Sequence, residues 1–304
     1  MHDVLAEVLG VLQLRGTVYC QSEINKSEWA LQFHPSNGAV FHIIAEGSCW
    51  VILDDEKMLL QTGDLLILPH GNHHLLADAP NSPVCSDIYL EHQAQSCLMM
   101  RWGDEQPKTT LVCGMFTFTE FNQNAILSLL PSVIYFGAEA RADYGLNRVI
   151  EALLDEANAN RQGKSLLLHR LADILFIQVI RAWLADPTNE AHGWLAGLRD
   201  PQIATALSVI HAQPADDWTV EKLAIVATMS RSAFSAKFTE LIGVPPLTYI
   251  TRWRMQLATQ LLRDERLSLI QIAETIGYTS DIAFSKAFKR EQGDTPAGYR
   301  RKYG

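Results

Sequence analysis

The sequence predicts an α+β chain of more than one domain: an N-terminal β-barrel or sandwich, helices following it, and an all-α C-terminal region whose motif occurs twice. Three observations predict it. Between about residues 16 and 120, short apolar alternations such as "FHIIAEGSCWVIL" and "TTLVCGMFTF" are separated by Gly, Asp, Asn and Pro, the pattern of short strands and turns. Past residue 120 the apolar spacing becomes three and four, which is the period of helices. Finally, "FSAKFTELIGVPPLTYI" (234–250) returns fifty positions later as "FSKAFKREQGDTPAGYR" (284–300), with Phe, Ser, Phe, Gly, Pro and Tyr in the same slots.

Composition sets the outer limits. With 304 residues, 48% hydrophobic and 19% charged, the chain can bury a sizeable core, and its length suggests about two domains. The opening "MHDVLAEVLG" lacks the basic then apolar pattern of an export signal. The most apolar run (166–184) is interrupted by His169, Arg170, Asp173 and Arg181, so a buried helix and no membrane span is expected. The five cysteines (Cys20, Cys49, Cys85, Cys97 and Cys113) form an odd set without a CxxC pair, which predicts free thiols in a reducing cytoplasm. The net charge is −9, but residues 200–304 hold 13 Lys/Arg against 11 Asp/Glu, leaving the first 199 residues with 12 against 23. Within 231–304 the balance is 12 against 7. The basic excess therefore coincides with the repeat, and the acidic remainder is expected to serve another purpose.

In the β region, Gly63 and Asp64 are expected to turn a hairpin and Pro69 to end a strand. "GLNRVIEALLDEANAN" and "SLLLHRLADILFIQVIRAWLAD" then read as two helices around Gly163. The apolar content of residues 141–186 exceeds what covering a small barrel requires, so these helices are expected to dimerise the chain. "DPTNEAHGWLAGLRDP" (186–201) is turn-rich and reads as a linker.

Each copy of the repeat opens with a short helix, 219–229 and 268–278. In the first, Val220, Leu223, Ala224 and Ala227 make one apolar face; in the second, Ser268 and Gln271 stand at capping-box spacing. A tight turn follows at Thr228 or Gly277, and a second helix starts behind Ser230 or Ser280 as N-cap. Phe234/Phe238 and Phe284/Phe288 point inward, which leaves Ser232, Ser235, Ala236 and Thr239, or Asp281, Ile282, Ser285, Lys286 and Lys289, facing out. A helix, a tight turn and a second helix with a polar outer face is the arrangement that enters a DNA major groove. Between the copies, Leu247, Ile250, Trp253, Leu257 and Leu261 form an apolar stripe among Arg252, Arg254, Arg263 and Arg266. A connecting helix of about 18 residues spans roughly 27 Å, near the ~34 Å between successive major-groove faces. One stiff rod would then hold two reading heads on one side of a duplex.

Residues 219–301 resemble the DNA-binding domain of AraC/XylS-family bacterial transcription regulators, through both heads, the connecting helix and the closing "P-x-x-Y-R". The resemblance implies that Ser232, Ser235 and Ala236 on one recognition helix, and Asp281, Ile282, Ser285 and Lys286 on the other, are base-facing. Arg231, Lys289 and Arg290 are expected at phosphates, and Thr239 and Ser280 complete the DNA-facing set. Most of these side chains are small, which points the first head toward shape and phosphate readout. The implied partners are double-stranded DNA, RNA polymerase, a small-molecule or oxidant effector and a second copy of the chain.

"GDLLILPHGNHH" fits G-x5-P-x-G-x2-H through Gly63, Pro69, Gly71 and His74, and with His42 and Glu46 of "GAVFHIIAEG" it resembles the two cupin signatures. The domains expected are thus a cupin-like sensing and dimerisation domain (1–186), a linker (187–201) and a bipartite helix-turn-helix domain (202–304). Cupin enzymes bind a divalent metal through histidines and a glutamate. Here Val40 replaces the first histidine, so no resident cofactor is expected. His42, Glu46 and His74 are the candidate ligands in the alternative, a metal-dependent cupin enzyme fused to a DNA-binding module, with Cys113 or His73 as extras. The other reading of the histidines is hydrogen bonding inside a pocket, with His42 and His74 as sensing residues. Cys49 alternates with Val51 and Leu53 and is expected to be buried and inert, whereas Cys20 and Cys85 lie near turns and loosely resemble sensing cysteines of hypochlorite-responsive relatives.

Overall fold

The structure, a computed structural model, describes residues 3–12, 14–54, 56–89, 98–103, 109–118, 127, 129–138, 145–189 and 191–303. The chain divides into two compact units, residues 13–189 and residues 1–12 together with 190–304. Cys97, residues 141–144 of the expected dimerisation segment and residue 190 of the expected linker lie outside the described residues.

In the first unit, β1 (Arg15–Ile24), β3 (Ala39–Glu46), β6 (Leu65–Leu68), β9 (Leu98–Trp102), β10 (Thr109–Thr117) and β11 (Ile134–Phe136) form one sheet, in the order β11-β6-β3-β10-β1-β9. The second sheet runs β5-β4-β7-β2-β8, from β2 (Ala30–Phe33), β4 (Ser48–Leu53), β5 (Glu56–Gln61), β7 (His74–Ala77) and β8 (Val84–Ile88). The described strands make two sheets rather than one closed ring, and a single core fills the space they share. Val40, Ile44 and Leu66 from one sheet meet Leu31, Phe33, Val51 and Leu76 from the other. Asp64 does more than turn the hairpin: its carboxylate accepts from Gln61 N–H at 2.8 Å, Ala138 N–H at 3.0 Å and Tyr135 O–H at 3.1 Å, tying the turn to β11.

Helices α2 (Leu146–Asn158) and α3 (Lys164–Ala185) pack on each other and on β1. Gly16 N–H donates to Asp173 at 2.7 Å and Gln21 to Asn158 at 2.6 Å. Phe176 meets Phe116 with ring centroids 4.9 Å apart. The apolar run read from the sequence is thus a helix buried on one side; Leu166, Leu167 and Ile174 stay exposed at 63%, 47% and 43%.

The second unit contains α4 (Gly193–Arg199), α5 (Pro201–Ala212), α6 (Val220–Val226), α7 (Arg231–Ile242), α8 (Pro246–Leu261), α9 (Leu269–Thr275), α10 (Asp281–Gln292) and α11 (Pro296–Tyr303). Two features differ from the sequence reading. The expected linker holds α4, whose Trp194, Leu195 and Ala196 are buried. Gly197, within the stretch read as turn-rich, is there for close packing: a Cβ would lie 2.7 Å from Ile242 Cδ1 and 2.9 Å from Leu207 Cδ1. The first twelve residues, assigned by sequence to the sensing domain, belong to this unit. Their helix α1 (Val4–Leu12) buries Val4, Val8 and Leu9 and packs on α5 and α8, where Gln260 donates to Gly10 O at 2.9 Å.

Candidate nucleic-acid interface and sensing centre

The caps expected for the repeat are present. Ser230 Oγ accepts from Ala233 N–H at 3.3 Å, and Ser280 Oγ from Ile282 N–H at 3.2 Å and Ala283 N–H at 3.4 Å. Ser268 and Gln271 form the complete capping box on α9. Each cap satisfies backbone donors that the first helical turn would otherwise leave open. Phe234, Phe238, Phe284 and Phe288 are fully buried. The opposite faces of α7 and α10 are consequently turned outward.

On α7, Arg231, Ser232 and Ala236 are exposed, while Ser235 and Thr239 are half-buried, with Thr239 O–H donating to Ser235 O at 2.8 Å. On α10, Asp281, Ile282, Lys286, Lys289 and Arg290 are exposed and Ser285 is half-buried. Ser280 spends its hydroxyl on the cap. Arg231 is ion-paired with Glu221 at 2.7 Å and Arg290 with Glu291 at 2.9 Å. Lys286 and Lys289 make no ion pair among the described residues, so their charges are available to an anion.

The connecting helix is Pro246–Leu261, 16 residues and about 24 Å. Its inward face holds Ile250 and Trp253, as the sequence stripe predicts, together with Met255 and Ala258. Leu247 is 49% exposed, because Pro246 takes the inward position at the helix start. Leu257 and Leu261 pack partly against the core of the second head. Trp253 stacks on His211 at 3.9 Å, and His211 Nε2 lies 2.8 Å from the Tyr249 hydroxyl.

Arg254 and Gly277 fix the second head. Arg254 donates from Nε to Pro214 O at 2.7 Å and from Nη2 to Asp216 O at 2.8 Å, gripping the loop between α5 and α6. Gly277, at φ 82°, faces the same loop: a Cβ there would sit 2.5 Å from Ala215 O. Only glycine meets both demands. The first head has Thr228 at φ 54° in the equivalent turn. Arg300 of the closing "P-x-x-Y-R" is likewise a clamp, donating to Leu262 O at 3.1 Å and Leu267 O at 2.7 Å.

In the first unit the structure gathers His42, His74, Cys113 and Cys20 inside the core, all fully buried. His42 Nδ1 lies 3.0 Å from Cys113 Sγ, and His42 Nε2 lies 2.7 Å from His74 Nε2. His74 Nδ1 lies 2.8 Å from Asn72 O. That carbonyl fixes every proton in the chain, since a carbonyl can only accept. His74 must donate from Nδ1, so its Nε2 accepts from His42 Nε2–H, and His42 Nδ1 is left to accept from the Cys113 thiol. Burial, reinforced by the charge of His74, drives His42 well below the ordinary imidazole range. Burial brings His74 down to about 4. Both rings are therefore neutral at physiological pH. Phe33 stacks on His74 at 4.8 Å and closes the cluster.

The candidate metal ligands His42, Glu46 and His74 do not converge as a set. Glu46 is exposed at the end of β3, His73 is also exposed, and both nitrogens of His42 already have partners on opposite sides of the ring. Among the described residues, no group of three or more His, Cys, Asp or Glu side chains converges as a ligand set. Cys85 is exposed on β8, at the edge of the other sheet from Cys20, and the structure does not bring the two together. Cys49 is buried as expected, its thiol pushed up to about 12 by burial and by the charge of Asp64.

Residues 3–185 match the family model described as Cupin and residues 223–302 the model described as a helix-turn-helix domain. A putative AraC-like transcription regulator from Streptomyces lividans is 32% identical over 302 residues, covering 98% of both chains. The chain belongs to the AraC-like transcription regulators. Other members of this family include the HTH-type transcriptional regulator AlkR of Acinetobacter baylyi, 29% identical over 99% of both chains. The RCS-specific activator RclR of Escherichia coli is 27% identical over 99% of this chain and 98% of its own. As an AraC-like regulator the chain acts by binding DNA and is not an enzyme. No helix among the described residues is long and apolar enough to cross a membrane.

Proposed function

We propose that this AraC-like regulator reads a two-part site in double-stranded DNA with α7 and α10, and that the His42–His74–Cys113–Cys20 cluster receives a small-molecule or oxidant signal. The observation that carries the reading is the pair of N-capped helices with buried Phe pairs and outward polar faces, held by one connecting helix. Lys286, exposed and unpaired by an acid among the described residues, projects from the face opposite Phe284 and Phe288.

The test begins with the genomic fragments retained by the purified chain, which define the cognate site. On that site Lys286→Ala is expected to cost about 1–3 kcal/mol and relax preference at one base position if the lysine touches a base edge. A phosphate contact would instead weaken all sequences alike and lower the salt slope by about one. Unchanged affinity and unchanged slope would remove Lys286 from the interface, and the absence of any enriched sequence would remove sequence-specific reading itself.

The chain works as a homodimer in the cytoplasm, acting with RNA polymerase. Leu166, Leu167 and Ile174, exposed on α3, support dimerisation there. Sedimentation of the full chain is expected to show a dimer that Leu166→Glu with Ile174→Glu converts to monomer. A wild-type chain that stays monomeric at high concentration would exclude the dimer.

A further inference from the structure

We propose that Cys20 and Cys113 form a modification site, a buried dithiol that a small two-electron oxidant, a hydroperoxide or a hypohalous acid, converts to an intramolecular disulfide. The proposal deepens the sensing role given to this cluster and rests on it for the consequence in transcription, but not for the chemistry.

The two cysteines lie directly opposite each other in the antiparallel pair of β1 and β10, and both point into the same core. Opposed residues in such a pair have Cα atoms about 4.5–5.5 Å apart, inside the about 4.4–6.8 Å that a disulfide spans. Closing the bond therefore requires no movement of the strands. The thiols already interact. A hydrogen bond between the two side chains is the largest influence holding the Cys20 thiol below its usual range, against burial that raises it, and Ser22 O–H adds a contact at 3.7 Å. Cys49, buried in the same core without such donors, is shifted the opposite way.

Cys113 S–H points at His42 Nδ1, and His42 is oriented by His74 and Asn72 O. Cys20 sulfur attacks an oxygen of hydrogen peroxide. The O–O bond breaks, and the departing oxygen takes the Cys20 proton and leaves as water, so that neither ring becomes charged. Cys20 is now a sulfenic acid. Cys113 sulfur attacks Cys20 sulfur, the S–S bond forms, and hydroxide leaves with the Cys113 proton as a second water. With hypochlorous acid the sulfur attacks chlorine, the first product is a sulfenyl chloride and water, and the second step releases hydrogen chloride. In both cases the two sulfurs together lose two electrons and the oxidant gains them.

The ladder between β1 and β10 is irregular between Val18 and Cys20, next to the reacting thiol. Such a bulge interrupts the ladder locally.

The experiment treats the full chain, without DNA, with hydrogen peroxide in one arm and hypochlorous acid in the other, followed by intact mass and peptide mapping. The expected product is lighter by two hydrogens, with Cys20 and Cys113 in one crosslinked peptide. Cys113→Ser is expected to stop at a sulfenic acid on Cys20 that dimedone traps, and Cys85→Ser to change nothing. His42→Gln is expected to slow disulfide formation by about 10²-fold while the unfolded variant keeps its full thiol count. Mapping of the wild-type chain decides the matter even if a variant fails to fold. Oxidation confined to Cys85, or a folded chain whose Cys20 and Cys113 stay reduced in both arms, overturns the proposal. Because the readout is made without DNA, it fails or succeeds independently of the proposed reading of the operator.

Discussion

Inserting five base pairs between the two half-contacts of the cognate site is expected to lower affinity by about 10²–10⁴-fold, the advantage that a second, linked contact confers. Five base pairs turn the second half-site by about half a helical turn, onto the far side of the duplex. The protein cannot follow. The connecting helix is a 16-residue rod, and a helix of that length has no joint at which to swivel. At its middle Trp253 is stacked on His211. Beside it Arg254, and from the second head Gly277, both hold the loop around Ala215, so the turn of the second helix-turn-helix is pinned to the same scaffold as the rod. A ten-base-pair insertion restores phase but adds about 34 Å, beyond the reach of a rigid pair, and is expected to fail as well. A flexible pair would recover affinity there. Titrations of the native, plus-five and plus-ten sites at matched salt separate the cases, and native affinity for the plus-five site would mean that the two heads do not read DNA together.

The helical unit was legible in the sequence because its signals are local. Ser230, Ser268 and Ser280 cap helices within three residues of themselves, and paired phenylalanines four apart can only share one helix face. The illegible parts depend on what lies across from a residue. Gly197 and the apolar residues before it look like a loop until Ile242 and Leu207 are seen against them. Arg254 was one of several arginines along a helix, and nothing local distinguishes a carbonyl clamp from a solvated charge. In the β unit, periodicity placed Cys49 in the core but could not name the strand opposite Cys20. The pairing of β1 with β10 brings together the two ends of the unit, and register of that kind is set by the whole sheet rather than by either segment. His42 and His74 were visible through the cupin signature, yet their direct contact was not.

That contact carries the second large prediction, an acid lability localised to the strand unit. His74 has a native pKa of about 4, depressed by burial, against about 6.5 when unfolded. Between those values the unfolded chain binds more protons than the native one, so stability rises with pH and is lost as pH falls through the window. Above pH ~6.5 the ring is neutral in both states and contributes no slope. By pH ~4 the loss from His74 alone is about 3 kcal/mol. His42, lowered further by its own burial and by His74, adds to this, though the pair titrates jointly and the two losses do not simply sum. Protonating either ring also breaks the chain of donors. A cationic His74 would turn an Nε2–H toward the Nε2–H of His42, two donors 2.7 Å apart with nothing to accept. The measurement is amide exchange in β3, β7 and β10 of the full chain from pH 7 to pH 4.5, corrected for intrinsic rates. Opening free energies in these strands are expected to fall with acid, while those of α8 and α10 stay level. The double variant His42→Gln with His74→Gln is expected to abolish the slope even where it lowers overall stability. A slope that survives in the double variant would place the acid-sensitive group elsewhere. A flat wild-type profile would mean that the rings are not held neutral, and the donor chain that orients Cys113 toward His42 would then have no basis.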